Sequence, residues 1–224
     1  EAKQGTSTAL VGSSGSGKTT VTNLIARFWD CQSGIISIDG TDITKIYPEE
    51  LLTNISMIFQ DVYLVNDTVE NNIKLGKPDA THEEVVKAAK DASCHEFITE
   101  LENSYDTVVG EGGSTLSGGE KQRISIARAM MKDAPVIFLD EATANVDPEN
   151  ENELIRAIRA LTDEKTVIMI AHRLKTVANA DQIIVIDHGR IVQQGKHAEL
   201  MEQAGIYSKF IGERREAVNW KVKK

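Results

Sequence analysis

Gly12-Ser13-Ser14-Gly15-Ser16-Gly17-Lys18-Thr19 decides the reading of this chain. It fits the pattern of a glycine, four free positions, then Gly-Lys-Ser/Thr. The β-prone run Thr8–Val11 precedes it and a helical stretch, Lys18–Arg27, follows. Glycines at such a strand-to-helix turn let backbone N–H groups point inward around phosphate oxygens. The helix start adds a partial positive charge. Lys18 is expected to reach the β- and γ-phosphates of a nucleotide, and the Thr19 hydroxyl to ligate Mg²⁺. The nucleotide-binding set expected here is Gly12, Ser13, Ser14, Gly15, Ser16, Gly17, Lys18, Thr19 and Thr20.

Outward from this loop, apolar β-prone runs recur at Ile35–Ile38, Ile55–Phe59, Val136–Leu139, Val167–Ala171, Ile183–Ile186 and Arg190–Gln193. Several are short, nearly all apolar and flanked by helix-like stretches, the pattern of strands buried on both faces of a parallel sheet. Further helices are expected at His82–Ala92, Ser117–Met131, Pro148–Leu161 and Gly205–Arg215. Asp187-His188-Gly189 reads as a hairpin turn. From Val62 to Lys132 no convincing strand pattern occurs, and Ser104–Gly119 is a glycine-rich loop. The expectation is an α/β core with a mostly parallel sheet and a helical insertion, residues 62–132.

Composition narrows the function classes. Of 224 residues, 41% are hydrophobic and 26% charged, ordinary for a globular chain. The longest unbroken apolar run is Val167–Ala171, where a membrane span needs about 20 residues. No charged-then-apolar leader pattern is read at the start. The net charge of −9 disfavours nonspecific nucleic-acid binding, which needs excess Lys and Arg. Cys31 and Cys94 match no metal spacing and read as reduced thiols of a cytosolic protein. The basic tail Arg214–Lys224 reads as a solvated end.

Val136-Ile137-Phe138-Leu139-Asp140-Glu141 is an apolar strand ending in two carboxylates. Ligands of open parallel sheets sit at the carboxyl ends of strands. Asp140 suits a water-mediated hold on Mg²⁺, and Glu141, one residue on, can polarise an attacking water. A second strand, Thr166–Ala171, ends at His172, whose imidazole can donate to a phosphate oxygen. In Leu116-Ser117-Gly118-Gly119-Glu120, Ser117 is a good helix N-cap and Glu120 stands three residues later, as in a capping box. The glycine pair leaves N–H groups at that helix start for an anion.

Phosphate loop, Gln60, Leu116–Glu120, Asp140-Glu141, Asp147 and His172 follow one another in the order of the nucleotide-binding domain of ABC transporters, which this chain resembles over nearly its whole length. Leu116–Glu120 resembles the family signature LSGGQ, with Glu120 in place of Gln. The resemblance implies a single ATPase domain, residues 1–224, with a P-loop NTPase core. Residues 62–132 become a signature subdomain inserted between the glutamine loop and the acidic strand.

The resemblance also implies ATP and Mg²⁺ as ligands and a head-to-tail pair of domains, identical or different. Each ATP then lies between the phosphate loop of one copy and Ser117, Gly118, Gly119 and Glu120 of the other. Gln60 matches the glutamine that senses Mg²⁺ and links to the membrane part. Thr19, Gln60 and Asp140 form the implied metal set. Asp147, in Ala144-Asn145-Val146-Asp147 where the family more often has Ser-Ala-Leu-Asp, matches the loop that crosses the dimer. Glu141 matches the catalytic glutamate and His172 the switch histidine; with Lys18 they make up the expected catalytic set.

Asp61–Ile73 and Thr107–Gly113 resemble exporters, although exporters often carry Glu where Val108 stands; Glu111 is present. The implied function is ATP hydrolysis at the cytoplasmic face of a membrane, powering transport through transmembrane domains. A soluble non-transport ABC ATPase, an importer ATPase subunit and a noncatalytic ATP-binding module are the alternatives. The family carries a longer segment ahead of its phosphate loop, with an aromatic that stacks on adenine. That residue is expected to lie outside this chain, as part of a longer polypeptide.

Overall fold

The aliphatic runs at 8–11, 136–139, 167–170 and 183–186 become strands because they find cover on both faces. The structure, a computed structural model, describes residues 1–140, 148–170 and 174–212. Glu141, Ala144–Asp147, His172 and the tail Arg214–Lys224 lie outside the described residues. In chain order the elements begin with β1 (Ser7–Val11), α1 (Lys18–Ile25), β2 (Ser37–Ile38), β3 (Thr41–Asp42), α2 (Pro48–Thr53) and β4 (Ile55–Ile58). Next come α3 (Val69–Lys74), α4 (His82–Asp91), α5 (His95–Glu100), α6 (Gly118–Lys132) and β5 (Val136–Asp140). The chain continues with α7 (Pro148–Thr162), β6 (Thr166–Ile170), α8 (Leu174–Ala178), β7 (Gln182–Asp187), β8 (Arg190–Gly195) and α9 (His197–Glu202). A last helical stretch covers 206–212.

The chain divides into two compact units. The first comprises the described residues of Glu1–Leu52, Phe138–Asp140 and Thr166–Lys224. Its strands follow the order β5, β6, β1, β7, β8. β1 runs parallel to β6, from Ser7↔Val167 to Leu10↔Ile170, and to β7, from Thr8↔Gln182 to Val11↔Val185. Ala9, Val11, Ile183 and Val185 are fully buried, each large aliphatic among them contributing about 1.5–3 kcal/mol by leaving water. β8 turns back antiparallel to β7. The two-residue turn between them places His188 at φ 46° and Gly189 at φ 74°, the paired positive angles of a type I′ hairpin. At the other end of β1, Asp181 accepts bonds from the Ser7 N–H at 2.9 Å and the Ser7 hydroxyl at 2.8 Å.

One apolar run behaves differently from its neighbours. Of Ile35–Ile38, only Ser37–Ile38 forms a strand, paired antiparallel with β3 in a separate two-stranded ribbon, and Ile35 is exposed. Asp39 (φ 49°) and Gly40 (φ 73°) turn the chain back at once, so this run builds a local ribbon and no sheet strand.

The second unit comprises Thr53–Ile137 and the described part of Glu141–Lys165. Its axis is α6, which packs against α3, α4, α7 and β4. Gln122, Arg123, Ile124, Ser125, Ile126, Ala127 and Ala129 are consequently all buried on this one helix. Between Val62 and Lys132 no strand forms; an isolated bridge joins Thr68 and Val108. α4 opens with the Thr81/Glu84 capping box. Residues 104–117 form a chain of turns up to the start of α6, with short 3₁₀ stretches at Ser104–Asp106 and Glu111–Gly113. Cys94 is completely buried and its thiol is pushed up to about 12 by burial, so it stays protonated and inert.

α3 is pinned through Asn72, which has no exposed surface. Its Oδ1 accepts from Val65 N–H at 2.9 Å, and its amide donates to the Val65 and Thr68 carbonyls, each at 3.0 Å. Arg128 of α6 adds bonds to Asn72 Oδ1 at 3.2 Å and to the Asn72 carbonyl at 2.9 Å. A buried asparagine tolerates this position because both ends of its amide are satisfied.

Candidate functional site: a phosphate loop and a glycine-led helix start

The loop after β1 has its shape dictated at three glycines. At Gly12 a Cβ would stand 2.1 Å from the Ile186 carbonyl oxygen of β7 and 2.7 Å from Ser16 Oγ, so only glycine fits. Gly15 (φ 75°) and Gly17 (φ 105°) adopt left-handed angles that side chains resist. Ser16 N–H closes the loop on the Ser13 carbonyl at 3.2 Å, and Gly189 N–H donates to the Ser16 carbonyl at 3.0 Å. The β7–β8 hairpin therefore braces the phosphate loop from outside. Ser13, Ser14 and Gly15 face solvent while Ser16 is buried.

Lys18 occupies the centre of this arrangement. Its side chain is 7% exposed, and Nζ donates to the Ser13 carbonyl at 2.8 Å, the Gly12 carbonyl at 3.1 Å and Ser16 Oγ at 3.4 Å. A cation is thus held inside the loop at the N-terminus of α1, where the helix field also favours an anion. Thr19 and Thr20, in the first turn of α1, are exposed. Asp140 ends β5, half-buried, in the same unit. Hydroxyl and carboxylate oxygens are the hard donors that Mg²⁺ takes, and one carboxylate plus substrate phosphates is its usual set. Among the described residues no group of three His, Cys, Asp or Glu side chains could hold a metal by itself.

The second unit carries the other expected residues within the described range. Gln60 is exposed, two residues past β4. Ser117 caps α6: its Oγ accepts from Glu120 N–H at 3.3 Å, and Glu120 Oε2 accepts from Ser117 N–H at 2.7 Å. That is the capping box the spacing implied. It fixes Gly118, exposed, and Gly119, buried, as the first residues of the helix. Leu116 is buried. Sequence reasoning passed over Gln122, Arg123 and Arg128. Their signal was three polar side chains on a helix whose spacing otherwise reads as core. Arg123, 3% exposed, faces Glu153 of α7 at 3.4 Å and lies 5.1 Å above the Phe97 ring.

This sheet, with a phosphate loop between its first strand and first helix, defines a P-loop nucleotide-binding fold. The ABC transporter family model matches residues 1–144. An ATP-dependent lipid A-core flippase of Desulfotalea psychrophila is 51% identical over 203 residues, 91% of this chain and 36% of the relative. That of Pasteurella multocida is 47% identical over 211 residues, 94% of this chain and 36% of the relative. A solved bacterial Atm1-family ABC exporter with ATP bound superposes with a TM-score of 0.89 at 42% identity, covering 95% of this chain and 37% of that one. The chain belongs to the ABC transporter family. Within it, these residues correspond to the nucleotide-binding domain of exporter-type members, and they span about a third of the length of the curated relatives.

Proposed function

We propose that this chain is the ATP-hydrolysing domain of an ABC exporter at the cytoplasmic face of a membrane. Two such domains pair head to tail and drive transmembrane domains between two states. The observation that carries this reading is the Lys18 ammonium held inside the glycine loop at the start of α1. In that position it exchanges carbonyl partners for the β- and γ-phosphate oxygens of ATP, and backbone N–H groups from Gly15 to Thr20 complete the cradle.

Mg²⁺, when bound, neutralises charge on the transferring phosphoryl group. Thr19 and Asp140 are the residues we assign to hold it, Asp140 through water. Gln60 takes the role of sensing it and linking to the membrane part. Glu141 polarises the attacking water and His172 donates to the γ-phosphate. Ser117, Gly118 and Gly119 of the partner copy meet the γ-phosphate at the start of α6, with Glu120 holding that turn in shape. We assign Asp147 the role of the loop that crosses between the copies. ATP binding favours the paired state and hydrolysis releases it, a shift of population between two conformations. A lipid is the cargo class to test first, since the relatives named above are lipid flippases.

Phosphate release from Mg-ATP tests the assignment. The wild type should turn over repeatedly, Lys18→Ala should bind about ten- to a hundredfold more weakly, and Glu141→Gln should bind without turnover. Multiple turnover by Glu141→Gln would remove it as the base, and an inactive wild type would remove the ATPase reading.

A further inference from the structure

Three side chains of α6 grip carbonyls on both sides of Gln60. Lys132 Nζ donates to the Ile55 carbonyl at 2.7 Å, Gln122 Nε2 to the Phe59 carbonyl at 3.3 Å, and Arg128 Nη1 to the Tyr63 carbonyl at 3.5 Å. The acceptors fall at every fourth residue, and Phe59 immediately precedes Gln60. Gln122 is 4% exposed, so its amide has little freedom to turn elsewhere. The same helix begins at Gly118, two residues past Leu116, within the Leu116–Glu120 signature. All of these residues belong to the second unit.

We infer that Gln122 is a positioning residue that fixes the backbone of Gln60 through the Phe59 carbonyl and ties it to the helix bearing the signature. Lys132 and Arg128 anchor the same segment further out. Of these three side chains, Gln122 is the one that reaches the peptide joining Phe59 to Gln60. Moving the start of α6 therefore moves Gln60, and a ligand gripped at one is reported at the other. This rests on the proposed role of Gln60 toward Mg²⁺. A side chain that holds a metal-sensing residue in place acts on metal response ahead of stability. The bond is a single neutral one to an otherwise exposed residue, so its removal should cost little folding energy.

The test uses the intact polypeptide that carries this domain. Gln122→Met keeps the length of the side chain and removes the N–H donor; Gln122→Glu keeps the volume and presents an acceptor to the carbonyl. ATP hydrolysis is followed against Mg²⁺ in the wild type, both variants, Gln60→Ala and the double variant Gln60→Ala/Gln122→Met. Each Gln122 variant should raise the Mg²⁺ needed for half-maximal rate about tenfold and lower kcat with ATP KM near that of the wild type; the thermal midpoint should stay near the wild-type value in Gln122→Met and fall in Gln122→Glu, which places a carboxyl at a buried position. In the Gln60→Ala background, Gln122→Met should add nothing. An unchanged Mg²⁺ response, or a full additional loss in the Gln60→Ala background, overturns the inference. A wild type that does not hydrolyse Mg-ATP overturns the functional reading instead, so the two failures are told apart.

Discussion

The Lys18 ammonium stands 2.8 Å from the carbonyl oxygen of Ser13, inside the loop that Lys18 itself terminates. The side chain is almost wholly buried by that loop, its ammonium facing the Gly12 and Ser13 carbonyls and Ser16 Oγ. Such a cation is matched to an anion that enters from the side of Ser13 to Gly15, the exposed rim.

Lys18→Ala should therefore weaken ATP binding by about ten- to a hundredfold, the loss of charged hydrogen bonds worth about 1.5–3 kcal/mol. Titration with a fluorescent ATP analogue measures it. Wild-type affinity in a folded variant would show that the loop does not use its lysine for phosphate.

The two loop glycines should separate by mechanism. Gly12→Ala forces a Cβ against the Ile186 carbonyl and should cost about 3 kcal/mol or more, since backbone must shift. Gly15→Ala meets nothing within 4 Å and suffers only its φ of 75°, about 1 kcal/mol. Urea unfolding of the two variants decides; equal losses would contradict the close approach of β7.

Asn72→Ala removes both ends of a buried amide and leaves Val65 N–H and the Val65 and Thr68 carbonyls without it. A loss of about 3 kcal/mol is expected by equilibrium unfolding. A loss below about 1 kcal/mol would mean that the network contributes nothing beyond an ordinary buried position.

Asp181 gives a pH signature. The Ser7 backbone N–H first, then its hydroxyl, hold the carboxyl below the ordinary 3.8. The folded state therefore keeps the charged form at pH values where the unfolded chain already takes up the proton, and stability rises with pH in that window. The difference in unfolding free energy between wild type and Asp181→Ala should be full above 3.8 and close as pH falls through the depressed value. A difference that persists unchanged in acid would assign the stabilisation to packing.

What was legible in the sequence follows from the range of each interaction. β1, β6 and β7 were readable because strands buried on both faces are aliphatic throughout. The hairpin at His188-Gly189 and the Ser117/Glu120 capping box were readable because their partners lie within a few residues. Ile35–Ile38 looked the same as the buried runs, and its pairing with Thr41–Asp42 is a matter of the turn at Asp39-Gly40. The short helices α2, α3, α5, α8 and α9 are five or six residues long, under two turns, too few for a periodic pattern. Gln122 and Arg128 were silent because their acceptors are main-chain carbonyls 56 to 65 residues away, and a carbonyl leaves no trace in the residue type. Lys18 and Ser117 announced themselves by motif; the peptide before Gln60 did not.

The most direct measurement is the solution mass of Glu141→Gln by light scattering, with and without Mg-ATP. The variant should be a monomer without nucleotide and a dimer with it, as ATP bridging the phosphate loop of one copy and the signature of the other requires. Ser117→Arg, which obstructs the second of those surfaces, should keep ATP binding and lose the dimer. A folded Glu141→Gln that binds Mg-ATP and remains a monomer would contradict the head-to-tail account.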